Sequence, residues 1–287
     1  MTAISSSPAR SGEARPGAAA AGSRRADLAG TLRSELTKIS SLRSTYWSLL
    51  ILVAASIGWS IAFCAGEAAQ WRHLGAADRA GFDPAQSSVL GVALLGQLVV
   101  VVLGALVITS EYSTGMIRTS LTVMPRRGVL FGAKAAVLGA ASLVTAVPAS
   151  FAAFFIGQRL LAGTHAGTAL GQPEVLRAVL AAAVYVGLCG LFTIGLGAVL
   201  RSTPGTITAA FGFLFLVPQL AKALPTTLYR EVVRWLPGGD FVAALTSSSP
   251  RPISPHLFSA WGELAVFGAY TAVLLAAGAA ALRRRDA

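Results

Sequence analysis

Six runs of about 20 apolar residues restrict the possible folds of this chain more than anything else in it. A helix rising 1.5 Å per residue needs about that length to cross the hydrocarbon core of a bilayer. The runs fall at about Tyr46–Ala65, Ser88–Ile108, Val129–Gly157, Leu176–Leu200, Thr206–Ala223 and Trp261–Leu282. Charged residues are 12% of the chain, about half the share of a soluble domain, and they gather at the run edges. Backbone polar groups in lipid must bond within their own segment, so such runs fold as helices. The expected class is an all-α polytopic membrane protein with six transmembrane helices. Runs three and four are long enough to tilt or to extend past the lipid.

Net charge is +11, which raises the question of a nucleic-acid partner. Such a binder clusters its arginines on a water-facing surface, whereas here they flank the apolar runs, so no nucleic acid is expected. With both termini in the cytoplasm, 15 of the 23 Lys and Arg lie inside, and the net charge is +10 inside against +1 outside. The positive-inside rule selects this orientation: a multi-pass protein of the cell membrane with both termini cytoplasmic.

Residues 1–26 are rich in Ala, Ser, Gly, Arg and Pro without periodicity and read as a disordered cytoplasmic tail. Residues 27–45 read as an amphipathic connecting helix. Its apolar stripe is Leu28, Leu32, Leu36 and Ile39, Asp27 is its N-cap, and it lies in the headgroup plane. Tyr46 and Trp47 suit the membrane interface. Residues 46–282 form the six-helix domain, and 283–287 a cytoplasmic C-terminus. Four-spaced small residues mark expected packing faces: Ala54, Gly58, Ala62 and Gly66; Gly132, Ala136 and Ala140; Gly268, Ala272, Ala276 and Ala280. The long outer segment 224–260 carries YREVVRWL and FVAAL around a Pro-Gly-Gly hinge. Neither is long enough to span; the first is expected as a short helix lying on, or dipping into, the outer leaflet, and the second as a further apolar piece.

The polar break Ser110–Arg127 has helical periodicity. Glu111, Thr114, Gly115, Arg118 and Thr122 share one face, with Tyr112, Met116, Ile117 and Leu121 on the other, and Pro125 ends it. Arg126, Arg127 and Lys134 read as topology charges at the start of the third run. Enzyme chemistry is not legible: there is no Gly-x-Ser-x-Gly elbow, no His-Glu-x-x-His pair and no phosphate-binding P-loop. His73, His165 and His256 fall in different outer loops, so no metal site is expected, and Cys64 and Cys189 read as small apolar packers. Glu111, Lys134, Lys222 and Glu263 stand at membrane edges. Gln97 is the main mid-span polar group; an interhelical hydrogen bond is the first reading and a substrate contact the alternative.

The motif Glu111-Tyr112-x-x-Gly115-x-x-Arg118 followed by Pro125-Arg126-Arg127, with the entry segment Ser34 to Trp47 and the six runs, resembles the ABC-2 type permeases of ATP-binding-cassette exporters. The resemblance covers about residues 27–285. It implies a membrane subunit with an N-terminal interfacial helix and a cytoplasmic coupling helix between spans two and three, paired with a second permease copy or homologous permease. Energy would come from a separately encoded cytoplasmic ATPase dimer, which binds ATP and Mg; no cofactor is implied for this chain itself. Glu111, Tyr112, Gly115 and Arg118 match the positions that couple to the ATPase. The apolar spans favour a hydrophobic cargo such as a drug, natural product or lipid, moved outward. Two other classes fit the composition: an ion-coupled secondary transporter, and a non-transporting membrane scaffold or immunity protein.

Overall fold

The computed structural model describes residues 16–41, 43–113, 127–164, 166–249 and 258–285. These residues are helical with connecting turns, and six helices are long and apolar enough to cross a membrane: Arg43–Gln70, Pro84–Tyr112, Gly128–Thr164, Pro173–Leu200, Thr203–Ala221 and Ala260–Arg284. Each contains most or all of one apolar run. The chain is a multi-pass membrane protein. Below, these helices are called the first to the sixth span.

The fourth span is the hub, packing against the second, third and sixth. Of its apolar stretch 72% is buried, against 22% for the first and sixth spans. Small residues permit this close approach. A Cβ on Gly195 would sit 2.7 Å from the carbonyl carbon of Leu274, so the fourth and sixth spans cross almost backbone to backbone. Tyr185 and Phe192 of the same span build an aromatic cluster with Phe213, Phe241 and Phe267.

The spaced small-residue rows, which suit packing within the chain or against a second copy, face away from the chain's own core. Ala54, Gly58 and Ala62 are exposed, as are Gly132, Ala136 and Ala140, and Ala272, Ala276 and Ala280. The first span instead buries Thr45, Leu52, Ser56, Ser60 and Cys64. Ser56 Oγ bonds back to Leu52 O within the helix, which satisfies its hydroxyl where it is buried, and Ser60 Oγ donates across to Ala153 O of the third span at 2.6 Å. The fifth span is interrupted by a π-helical turn, Gly212–Leu216, just ahead of Pro218, which has no N–H for the regular ladder.

At the N-terminus the helix Pro16–Ser41 begins well ahead of Asp27. Residues 16–26 are therefore helical, not irregular, and Asp27 lies within the helix and not at its start. An alanine-rich start behind a proline explains the extension. Of the expected apolar stripe, Ile39 turns toward the protein and Leu36 away from it. Thr31, Glu35 and Ile39 are buried, whereas Leu36 is 54% exposed. In a membrane the apolar side is free to meet lipid while polar groups pair inside the protein.

At the other end, the segment between the fifth and sixth spans forms the short helices Thr226–Val232 and Gly239–Thr246. The second does not rest on the surface: Phe241, Val242 and Leu245 are core residues against the second, fourth and sixth spans. Asp83, just before the second span, holds its exit, accepting hydrogen bonds from Ser247 Oγ, Ser248 N, Ser248 Oγ and Ser249 N. Arg177 donates to Leu245 O and Ser247 O from the fourth span.

Candidate functional site

Four ionisable residues from three elements meet at the end of the bundle that carries the N-terminal helix. Glu35 and Lys38 stand one turn apart on that helix, Glu111 ends the second span, and Lys134 lies in the early turns of the third. Glu111 Oε1 accepts from Lys38 Nζ at 2.5 Å and from Lys134 Nζ at 2.6 Å. Lys134 also donates to Glu35 Oε2 at 2.8 Å, and Lys38 lies 3.9 Å from Glu35 Oε1. Glu35, Glu111 and Lys134 are buried, and Lys38 is about a third exposed at the rim. The charges balance, two against two, which is the condition under which burying them is tolerable.

Burial of the Lys38 ammonium works against its charge. The hydrogen bond and charge of Glu111, with Glu35 behind, outweigh that and raise its pKa above the ordinary lysine value. The cluster thus ties the entry helix to the ends of two spans by charge-assisted bonds, the strongest polar joint available at a helix junction.

Next to Glu111, Tyr112 lies under the guanidinium of Arg201, 4.9 Å from its centre to the ring centroid. Arg201 ends the fourth span in a left-handed conformation, φ 56°, with its backbone N–H bonded to Gly197 O. Its side chain reaches Ala281 O of the sixth span. Two residues before Glu111, Thr109 Oγ1 meets Thr203 Oγ1 of the fifth span at 2.6 Å. The end of the second span is therefore bonded to the third and fifth spans and, through the Tyr112–Arg201 contact, to the fourth, whose Arg201 reaches the sixth.

Of the residues expected to couple, Glu111 and Tyr112 occupy these junctions, whereas Gly115 and Arg118 lie outside the described residues. Lys134 is not a surface topology charge. It is 2% exposed and central to the cluster. Gln97 is tied across the bundle: Tyr185 Oη donates to its Oε1 at 2.6 Å with both groups buried. This is the interhelical hydrogen bond expected of it. Glu263 is fully buried in the first turn of the sixth span and accepts from Phe258 N.

Sequence reading missed the partnership of Glu35, Lys38 and Lys134 with Glu111, and that of Arg201 with Tyr112. A partial signal was present: Glu111 is the single acid between the second and third runs, Lys134 is the single base within the third, and an i, i+3 Glu–Lys pair stands on the preceding helix. No protein-family model and no curated protein matches this chain.

Proposed function

We propose that this chain is the membrane subunit of an ABC-2 type exporter, moving a hydrophobic substrate out of the cell with energy from a separate cytoplasmic ATPase. The observation that carries this reading is the position of Glu111. It is the single acid of the stretch Ser110–Arg127 that resembles a coupling helix, and it is bonded to the entry helix and to the third span. Force applied to that segment by a closing ATPase would reach Glu111 first. It would then pass to the third span through Lys134 and to the entry helix through Lys38 and Glu35. Arg118 and the polar face around it would meet the ATPase, and Gly115 would allow close approach.

On this reading the chain binds no nucleotide. ATP and Mg belong to the partner, and two permease chains work over two ATPase chains. Affinity capture of the full chain from its native membrane tests this. The expected result is co-purification of a P-loop ATPase with Mg-dependent ATP hydrolysis, and an Arg118→Glu variant that loses hydrolysis coupling while keeping its expression level. Capture without an ATPase, with transport that persists in the absence of ATP, would refute it.

A second reading has one observation in its favour. Buried acid–base clusters at span ends are the groups that ion-coupled carriers use. It predicts that collapsing the proton gradient abolishes transport and that Glu111→Gln uncouples it. The exporter reading predicts that transport survives gradient collapse while ATP is present.

A further inference from the structure

Beside the charge cluster is a cavity of about 350 Å³ between the entry helix, the start of the first span and the last turns of the second. Its walls are apolar, with Ile39, Leu103, Leu106 and Val107 along them, and Lys38 stands near its polar end. Two of its lining residues carry buried oxygens that have no hydrogen-bond partner among the described residues: Thr45 Oγ1 and Glu111 Oε2. Buried polar atoms are normally satisfied, so two orphans on one cavity indicate a missing partner.

The chemistry of the orphans selects the partner. Both lysine ammoniums already engage carboxylates, so the cluster has no unused positive charge to offer an anion. What remains open is acceptor capacity on a carboxylate, beside a hydroxyl. We propose that this cavity binds an amphiphile with a primary ammonium head, supplied in the membrane by a lipid of the phosphatidylethanolamine type. The ammonium donates to Glu111 Oε2, Thr45 reaches the adjoining polar part of the head, and the tail runs along Leu106 and Val107. The cavity is within the usual size range for small-molecule sites. The inference is independent of the ATPase reading, because it rests on the cavity and its orphan oxygens alone.

The test uses the full chain in nanodiscs of phosphatidylcholine, doped in turn with phosphatidylethanolamine, its N-methyl and N,N-dimethyl forms, or phosphatidylglycerol. Native mass spectrometry reads the bound lipid. N-methylation removes N–H donors one at a time and leaves the positive charge in place. Binding is expected to fall along that series, by about tenfold overall for loss of a charge-assisted hydrogen bond. Leu106→Trp, which fills the cavity without touching a charge, should abolish the preference, and Glu111→Gln should flatten the series. Dodecylamine added to phosphatidylethanolamine-doped discs should displace the lipid if the ammonium is what the site reads. Equal retention of ethanolamine and choline lipids by the unaltered chain would overturn the proposal. So would preference for phosphatidylglycerol, failure of dodecylamine to displace, or an undiminished preference in Leu106→Trp.

Discussion

Replacing Lys134 by Met is the sharpest perturbation of the charge cluster, because it keeps the length of the side chain and removes only its ammonium. Lys134 is 2% exposed and bonds Glu111 Oε1 at 2.6 Å and Glu35 Oε2 at 2.8 Å. Without it, two buried carboxylates share Lys38, which is 2.5 Å from Glu111 but 3.9 Å from Glu35. Glu35 is then left with a buried charge and no close partner. Removing one member of a buried pair costs about 3–5 kcal/mol, and the partial exposure of Lys38 places the expected loss near about 3 kcal/mol. Reversible unfolding of the purified chain in mixed micelles, titrated with SDS and followed by circular dichroism, measures it. The decisive comparison is the double variant Glu35→Met/Lys134→Met. It leaves one acid and one base, Glu111 and Lys38, and replaces the other pair by apolar groups, an exchange that is often neutral. The double variant should therefore be more stable than Lys134→Met alone. Single and double variants whose losses simply add, or a single variant within about 1 kcal/mol of the parent, would refute the reasoning.

Other expectations follow from the same contacts. Because the Lys38 pKa is raised by folding, its contribution is complete below the unfolded lysine value, about 10.4, and is lost as pH rises through the folded value. Unfolding titrations at rising pH should show stability falling above about pH 10, with a shallower fall in Lys38→Met. Tyr229 donates to Asp240, and burial together with that carboxylate pushes its phenol up to about 12. Ultraviolet titration against Tyr229→Phe should show one tyrosine ionising near there, and Asp240→Asn should bring it down. Gly195→Ala should destabilise by about 1–3 kcal/mol through overpacking against Leu274, whereas Gly58→Ala, with nothing near its Cβ position, should not destabilise. Asp83→Ala should release the strap it holds, seen as faster reaction of a Ser248→Cys reporter with a membrane-impermeant maleimide.

Composition and run length carried the architecture, since about 20 apolar residues in lipid have few ways to satisfy their backbone except as a helix. The short helices between the fifth and sixth spans were also legible, from their length and the glycine hinge. Facing directions were less so. The apolar stripe of the entry helix suggested a helix in the headgroup plane but not which side meets the protein; lipid competes with the protein interior for apolar residues and does not compete for charges. Glu35 therefore turned inward and Leu36 outward. The same competition explains why the rows at Ala54, Gly132 and Ala272 face away from the chain's own core. For the site, Glu111 and Tyr112 were legible by resemblance, but their partners Lys134 and Arg201 lie 23 and 89 positions further along the sequence, and only tertiary packing brings them together.

On the proposed exporter reading, the stretch Ser110–Arg127 meets a cytoplasmic ATPase and Glu111 carries its motion into the spans. A photo-crosslinking amino acid placed at position 118 of the full chain, activated in native membranes, tests this most directly. The expected result is an adduct with a P-loop ATPase whose yield changes when nucleotide is added. An adduct formed only with lipid, or labelling of position 118 by an impermeant reagent from outside the cell, would contradict it.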